Sequence, residues 1–254
     1  MEYKRRFIFT AYAFSFMIAF AVTGTMFSTA LPRIIEDYHL SLAQAGLFSV
    51  FTSMGNIGAM ILTGLLGDRY RKSILMGAMF IGISISLALI GSMPPFAALL
   101  CFLVILGIFT SSLNLIVTAY VSDLYGEHRA KYINLVHMFF GIGSLLGPLY
   151  PMALEKLGFH WRYSYLFLAA VVLLAGLSYF LIMAKIKEPA LAIEADRKDI
   201  PKENQPSQKL SSLLRNKGML ALCIMSFLYM GGHQNTFSTW FQTFLQTENP
   251  ASYT

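Results

Sequence analysis

Apolar residues occupy this chain in long blocks separated by short polar segments. Six blocks are long enough to cross a bilayer, at residues 7–31, 42–66, 73–92, 96–121, 133–154 and 163–184, and a seventh starts near Met219. A hydrocarbon core of about 30 Å takes roughly 20 apolar residues in helical form. Each block therefore predicts one transmembrane helix, and the chain reads as an all-α polytopic membrane protein. Residues 1–184 form a six-helix bundle in this reading, residues 185–217 a linker, and residues 218–254 a seventh helix that starts a second bundle.

The linker is rich in Lys, Glu, Asp, Pro and Gln, with Pro189, Pro201 and Pro206 inside it. It has too little apolar surface to build a core and is expected to be flexible. Near its end, Leu210, Leu213 and Leu214 could form one amphipathic turn at the membrane surface. The four-residue link at 92–95 is so short that the helices it joins are expected to be antiparallel neighbours.

Charge fixes an orientation. With residues 1–6 on the cytoplasmic side, the cytoplasmic segments hold 16 Lys and Arg, and the opposite side holds 3, namely Arg33, Lys156 and Arg162. Short cytoplasmic loops carry such an excess, so the N-terminus and the linker are expected in the cytoplasm. The net charge of +6 follows from this sorting, and no nucleic-acid partner is implied. Lys4-Arg5-Arg6 ahead of an apolar run imitates a secretory leader. The run is about twice the length of a leader's apolar region, however, and further spans follow it. Cys101 and Cys223 both fall inside apolar blocks, so neither a disulfide framework nor a metal site is expected.

Polar residues are unevenly shared among the spans. The third and sixth offer little beyond Ser84, Ser86 and Ser178. The first carries Thr23, Thr25, Ser28 and Thr29, the fourth Thr110, Ser111, Ser112, Asn114 and Thr118, and the seventh His233, Gln234, Asn235, Thr236, Ser238, Thr239 and Gln242. Polar groups facing lipid are costly. The first, fourth and seventh spans are therefore expected to line a polar space, and the third and sixth to face lipid.

The loop after the second span reads Gly64-Leu65-Leu66-Gly67-Asp68-Arg69-Tyr70-Arg71-Lys72. It resembles the signature loop of the major facilitator superfamily, G-x-L-x-D-R-x-G-R-K/R. Gly64, Leu66, Asp68 and Arg69 match in place; Arg71 stands where Gly is usual and Lys72 where Arg is. Gly143-Ser144-Leu145-Leu146-Gly147-Pro148 resembles the family's G-x-x-x-G-P element in the fifth span. Residues 134–141 and 231–245, with Trp240, resemble the fucose permease-like sugar branch. The family resemblance covers essentially the whole chain and implies the major facilitator fold. It also implies a latch at Gly64, Asp68 and Arg69 that holds the outward-facing state, although the family's partner helix for it belongs to the second bundle. Gly143 and Gly147, four apart, would let two helices approach closely, and Pro148 would bend its helix.

Solute contacts are sought among polar residues at helical spacing. Ser111, Asn114 and Thr118 share one face of the fourth span, Asn134 and His137 one of the fifth, and Asn235 lies beside Trp240 in the seventh. Amides and hydroxyls near an aromatic ring suit a neutral, hydroxyl-rich solute such as a sugar. The plain alternative for each is an interhelical hydrogen bond, worth about 0.6 kcal/mol on average. All 13 acidic residues sit in loops or at span ends, and Asn114 stands where the sugar branch often has an acid. Proton symport is thus not favoured; His137 or His233 could titrate in place of an acid, against the plainer reading of each as a buried neutral histidine. His128 and His160 read as surface residues in loops.

Neither a phosphate-binding loop, a metal-ligand spacing nor a nucleophile arrangement stands out, so neither an enzyme nor a cofactor is expected. The leading expectation is a transporter in a bacterial plasma membrane. It would move a small polar solute, with or without a coupling ion, by alternating access. Family carriers have twelve spans, so transport is expected to need a C-terminal half beyond residue 254. The competing expectation is a truncated, non-transporting membrane protein.

Overall fold

A computed structural model describes residues 2–186 except Asp68, together with Glu188, Pro189 and six residues between 218 and 228. The chain divides into two compact units, residues 1–195 and 196–254. In the second unit the six described residues, Gly218, Leu220, Ala221, Ile224, Met225 and Leu228, are helical. The expected linker and most of the seventh span lie outside the described residues.

The first unit is built from six long helices: α1 (Glu2–Asp37), α2 (Leu42–Gly67), α3 (Lys72–Gly91), α4 (Phe96–Tyr125), α5 (Arg129–Lys156) and α6 (Trp161–Lys185). Most of them extend beyond the apolar blocks, because a helix can keep its internal backbone hydrogen bonds past the end of its apolar stretch. The difference is largest in α1, which continues through Pro32 to Asp37. Between α4 and α5 a single 3₁₀ turn spans Gly126–His128, and Gly126 takes a positive φ of 47° there. At the start of α2, Ser41 Oγ accepts from Gln44 N–H, and Gln44 Oε1 accepts from Ser41 N–H at 2.9 Å. This reciprocal pair satisfies two donors that the helix cannot.

The main packing pairs are α1 with α5, α2 with α4, and α3 with α6. Shifting each number by three within the six exchanges the first two pairs and maps the third onto itself, so helices 1–3 and 4–6 form two equivalent repeats. Small residues enable the two exchanged pairs. A Cβ on Gly107 of α4 would lie 2.6 Å from Thr52 O on α2, and one on Gly143 of α5 would lie 2.5 Å from Ile18 O on α1. Backbone approach of this kind suits helices in lipid, where burying apolar side chains gives no net drive.

α1 occupies the middle of the unit. Phe16 stacks on Phe80 of α3, with centroids 3.8 Å apart, and Phe14 on Phe139 of α5 at 4.5 Å. Phe9 meets Tyr120 of α4 and Tyr179 of α6. The third span departs from its expected place. α6 does present a long apolar stripe through Phe167, Val171, Leu174 and Leu181. α3, in contrast, is largely enclosed and exposes only a narrow strip at Ile74, Ala78, Ile85 and Leu89. Phe180 and Phe109 press on its Gly77 and Gly82, and Ser84 Oγ donates to Ala169 O of α6 at 2.7 Å. A wholly apolar helix is equally at home in lipid and in protein, so composition alone could not place it.

Candidate functional site

Helix direction sorts the chemistry to two ends. The near end, where α1 begins, holds the signature loop. Arg69 is exposed and makes no side-chain hydrogen bond or ion pair with a described residue, while Asp68 lies outside the described residues. The neighbouring positions are engaged instead. Lys72 pairs with Asp123 near the end of α4, and Arg71 pairs with Glu188 just beyond α6. Arg71, which departs from the family pattern, thus fastens the segment after α6 to the loop after α2. Around a Cβ on Gly64, nothing lies within 4 Å.

Within the spans the candidate residues separate into engaged and free. Ser111 Oγ donates to Asn56 Oδ1 of α2 at 2.7 Å, and Thr63 Oγ1 donates to Ser112 Oγ at 2.8 Å. Thr118 Oγ1 donates to the Asn114 carbonyl of its own helix at 2.8 Å, a local bond that satisfies the hydroxyl without a partner helix. The side chains of Asn114, Asn134 and His137 form no hydrogen bond with a described residue. Asn114 is half-buried, and Asn134 and His137 are exposed on the surface of α5. Asn235 and Trp240 lie outside the described residues. Gly143 and Gly147 are both buried against α1, with Gly147 meeting Thr25, and Pro148 follows within the same helix.

The far end carries a network that the sequence did not signal. Arg33 of α1 donates through Nε and Nη2 to Glu155 Oε1 of α5 at 2.8 and 2.6 Å, and through Nη1 to Glu36 at 3.0 Å. Asp37 Oδ2 accepts from Trp161 Nε1 at 2.5 Å and lies 2.9 Å from His160 Nε2. His160 also caps α6, its Nδ1 accepting from Arg162 N–H at 3.4 Å. His160 is exposed at the surface, as read from the sequence, but it does have a partner, because α1 runs far enough past its apolar block for Asp37 to reach it. Beside this network Tyr38 donates to Pro94 O at 2.7 Å, and burial, aided by the Asp37 charge, holds its phenol above the ordinary value.

The comparisons agree with this architecture. The family model for the Major Facilitator Superfamily matches residues 8–251. Protein spinster of Drosophila melanogaster is 25% identical over 85% of this chain and 37% of its own length. The class C tetracycline resistance protein of Escherichia coli is 30% identical over 56% of this chain and 36% of its own. Among solved structures, a bacterial homolog of the human lysosomal transporter Spinster, inward-facing and unoccupied, superposes with a TM-score of 0.68 at 19% identity. That alignment covers 95% of this chain and 56% of the other. The chain spans less than half the length of the curated relatives it matches. Two three-helix repeats folded into one bundle are the first half of such a carrier, and this chain belongs to the Major Facilitator Superfamily.

Proposed function

We propose that this chain supplies the first bundle, and the beginning of the second, of a carrier that moves a small polar solute by alternating access. The observation that carries the reading is that the side chains of Asn114, Asn134 and His137 on α4 and α5 make no hydrogen bond with a described residue. Polar side chains without a partner among the described residues, on helices apolar enough to cross a bilayer, would be costly against lipid. They are satisfied if the faces that hold them border a water-filled path, and alternating access in this family places that path between two bundles. Amide and imidazole groups favour a hydroxyl-rich solute such as a sugar. The relatives named above include none named for a sugar, so the solute class rests on these side chains alone.

The near end is the cytoplasmic one in this proposal, because it gathers the basic loops, and the membrane is the plasma membrane of a bacterium. Gly64, Asp68 and Arg69 act as the latch toward the second bundle. Open space around Gly64 and an Arg69 side chain that pairs with no described residue support that role. The chain is embedded in a lipid bilayer, and a coupling ion is not required by any acid within the spans.

The test is uptake of labelled sugars by proteoliposomes that hold the chain joined to a second six-helix bundle. Saturable uptake is expected, with at least a tenfold loss in N134A or H137A, and none from the chain alone. Uptake that neither substitution changes would contradict the assignment.

A further inference from the structure

α1 and α5 run side by side in the same direction. Phe14 stacks on Phe139, and Gly143 and Gly147 sit against Ile18 and Val22, so one register holds along the pair. Continued to the near end, that register sets Lys4 level with Arg129 and Arg6 level with Lys131. The segments that meet there, residues 2–7 and 126–132, carry Lys4, Arg5, Arg6, Arg129 and Lys131 against Glu2 and Glu127. Lys4, Arg5, Arg129 and Lys131 make no ion pair with a described residue, and all but Arg5 are fully exposed. Asp123, at the adjoining end of α4, is taken by Lys72. Both helices begin here, so their dipoles add to the positive potential instead of offsetting it. Like charges brought together repel, and the glycine contacts farther along hold the two helices close.

Aromatic rings frame the same end. Tyr125 of α4 stacks on Tyr132 of α5 with centroids 3.3 Å apart, and its hydroxyl lies 2.7 Å from Thr10 Oγ1 of α1. The Lys131 ammonium is 6.0 Å from the centre of the Tyr132 ring. Tyr3 and Phe7, one turn apart on α1, are 81% and 65% exposed. Outward rings at the point where a helix enters lipid match the headgroup layer, in which aromatic side chains settle. Anionic headgroups in that layer attract basic clusters between helices. A soluble anion would leave the exposed rings without a role.

We propose that the paired starts of α1 and α5 bind the headgroup of an anionic phospholipid. Lys4 on one helix and Arg129 and Lys131 on the other supply charge to its phosphate, and its acyl chains run along Phe7. A zwitterionic headgroup brings its own cation and relieves none of the repulsion, so the partner carries a net negative charge. The proposal does not rest on the solute reading above, and its test involves no uptake.

That test is native mass spectrometry of the detergent-purified full chain, offered equal amounts of dioleoylphosphatidylglycerol and dioleoylphosphatidylcholine. Phosphatidylglycerol is expected to be retained with at least fivefold preference. R129Q combined with K131Q is expected to lower its retention at least fivefold, since one basic residue facing anionic lipid contributes about that factor. K185Q combined with K187Q removes as much charge beyond the end of α6 and is expected to leave retention unchanged. Glycerol 3-phosphate, with the same phosphate and no acyl chains, is expected not to displace the lipid at equal concentration. Unchanged unfolding temperatures in lipid-free detergent show that both double variants keep the fold. Equal retention of the two lipids, equal losses in the two double variants, or displacement by glycerol 3-phosphate would overturn the proposal.

Discussion

Gly55 of α2 and Gly107 of α4 face each other so closely that neither helix has room for a methyl group. A Cβ on Gly55 would run into the Val104 carbonyl, and one on Gly107 would lie 3.2 Å from Gly55 Cα. Backbone cannot swing aside as a side-chain end can. G55A and G107A are therefore expected to destabilise the bundle by about 1–3 kcal/mol each. G24A and G46A, where a Cβ meets nothing within 4 Å, are expected to be neutral or slightly stabilising. Thermal unfolding in detergent separates the two sets, and equal behaviour of all four would remove the close-approach argument.

The Lys72–Asp123 pair ties the signature loop to α4, and both side chains are less than one-third exposed. Partial burial makes the pair more than a solvated surface contact. K72Q and D123N are each expected to lower stability. Their double-mutant cycle should give a coupling of about 0.5–2 kcal/mol that high salt reduces only slightly. Strict additivity would show that the pair contributes nothing.

Much of the fold is legible in the residue pattern, and what escaped has a physical reason. Hydropathy sets the six helices, since crossing lipid needs length and apolarity and little else. It does not say which helices touch. α1 packs on α5 rather than on α2 because Gly143 and Gly147 let α5 come close, and the matching contact of α2 with α4 depends on glycines in two separate helices. The spacing of Gly143 and Gly147 was visible in one segment, whereas Gly55 and Gly107 become a pair only in three dimensions. Among the candidate solute residues, Ser111 proved to be held by Asn56, a long-range partner that no single-helix pattern reveals. The Asp37–His160 contact escaped for a related reason. It joins residues far apart in sequence, and the apolar block placed the end of α1 six residues short of its observed last residue.

Engaged and free polar residues should respond differently. S111A breaks a bond between α2 and α4 and is expected to cost about 0.6 kcal/mol while leaving solute uptake intact. N134A and H137A remove no hydrogen bond to a described residue and should stay within about 0.5 kcal/mol of the parent, yet reduce uptake. Loss of uptake in S111A at unchanged stability would shift the solute path toward α2.

Trp161 and Asp37 join the far ends of α6 and α1. W161F removes the indole donor and leaves Asp37 with His160 alone, so a loss of about 1–3 kcal/mol is expected. H160A removes both the ion-pair contact with Asp37 and the cap on α6, and W161F combined with H160A should cost more than either. Faster amide exchange confined to the first turn of α6 would accompany it. Exchange that stays protected in the double variant would show that Asp37 does not anchor this end.

The central claim is that six helices cross a membrane with their basic loops gathered on one side. Single cysteines placed on a C101S/C223S background test it directly, using a thiol reagent that cannot cross membranes and intact cells. Leu157→Cys and Ser92→Cys, at the far end, are predicted to label from outside. Glu127→Cys and Tyr70→Cys, at the near end, are predicted to label only after the cells are opened. Labelling of Glu127→Cys in intact cells, or labelling from one side at both ends of a single helix, would contradict the arrangement.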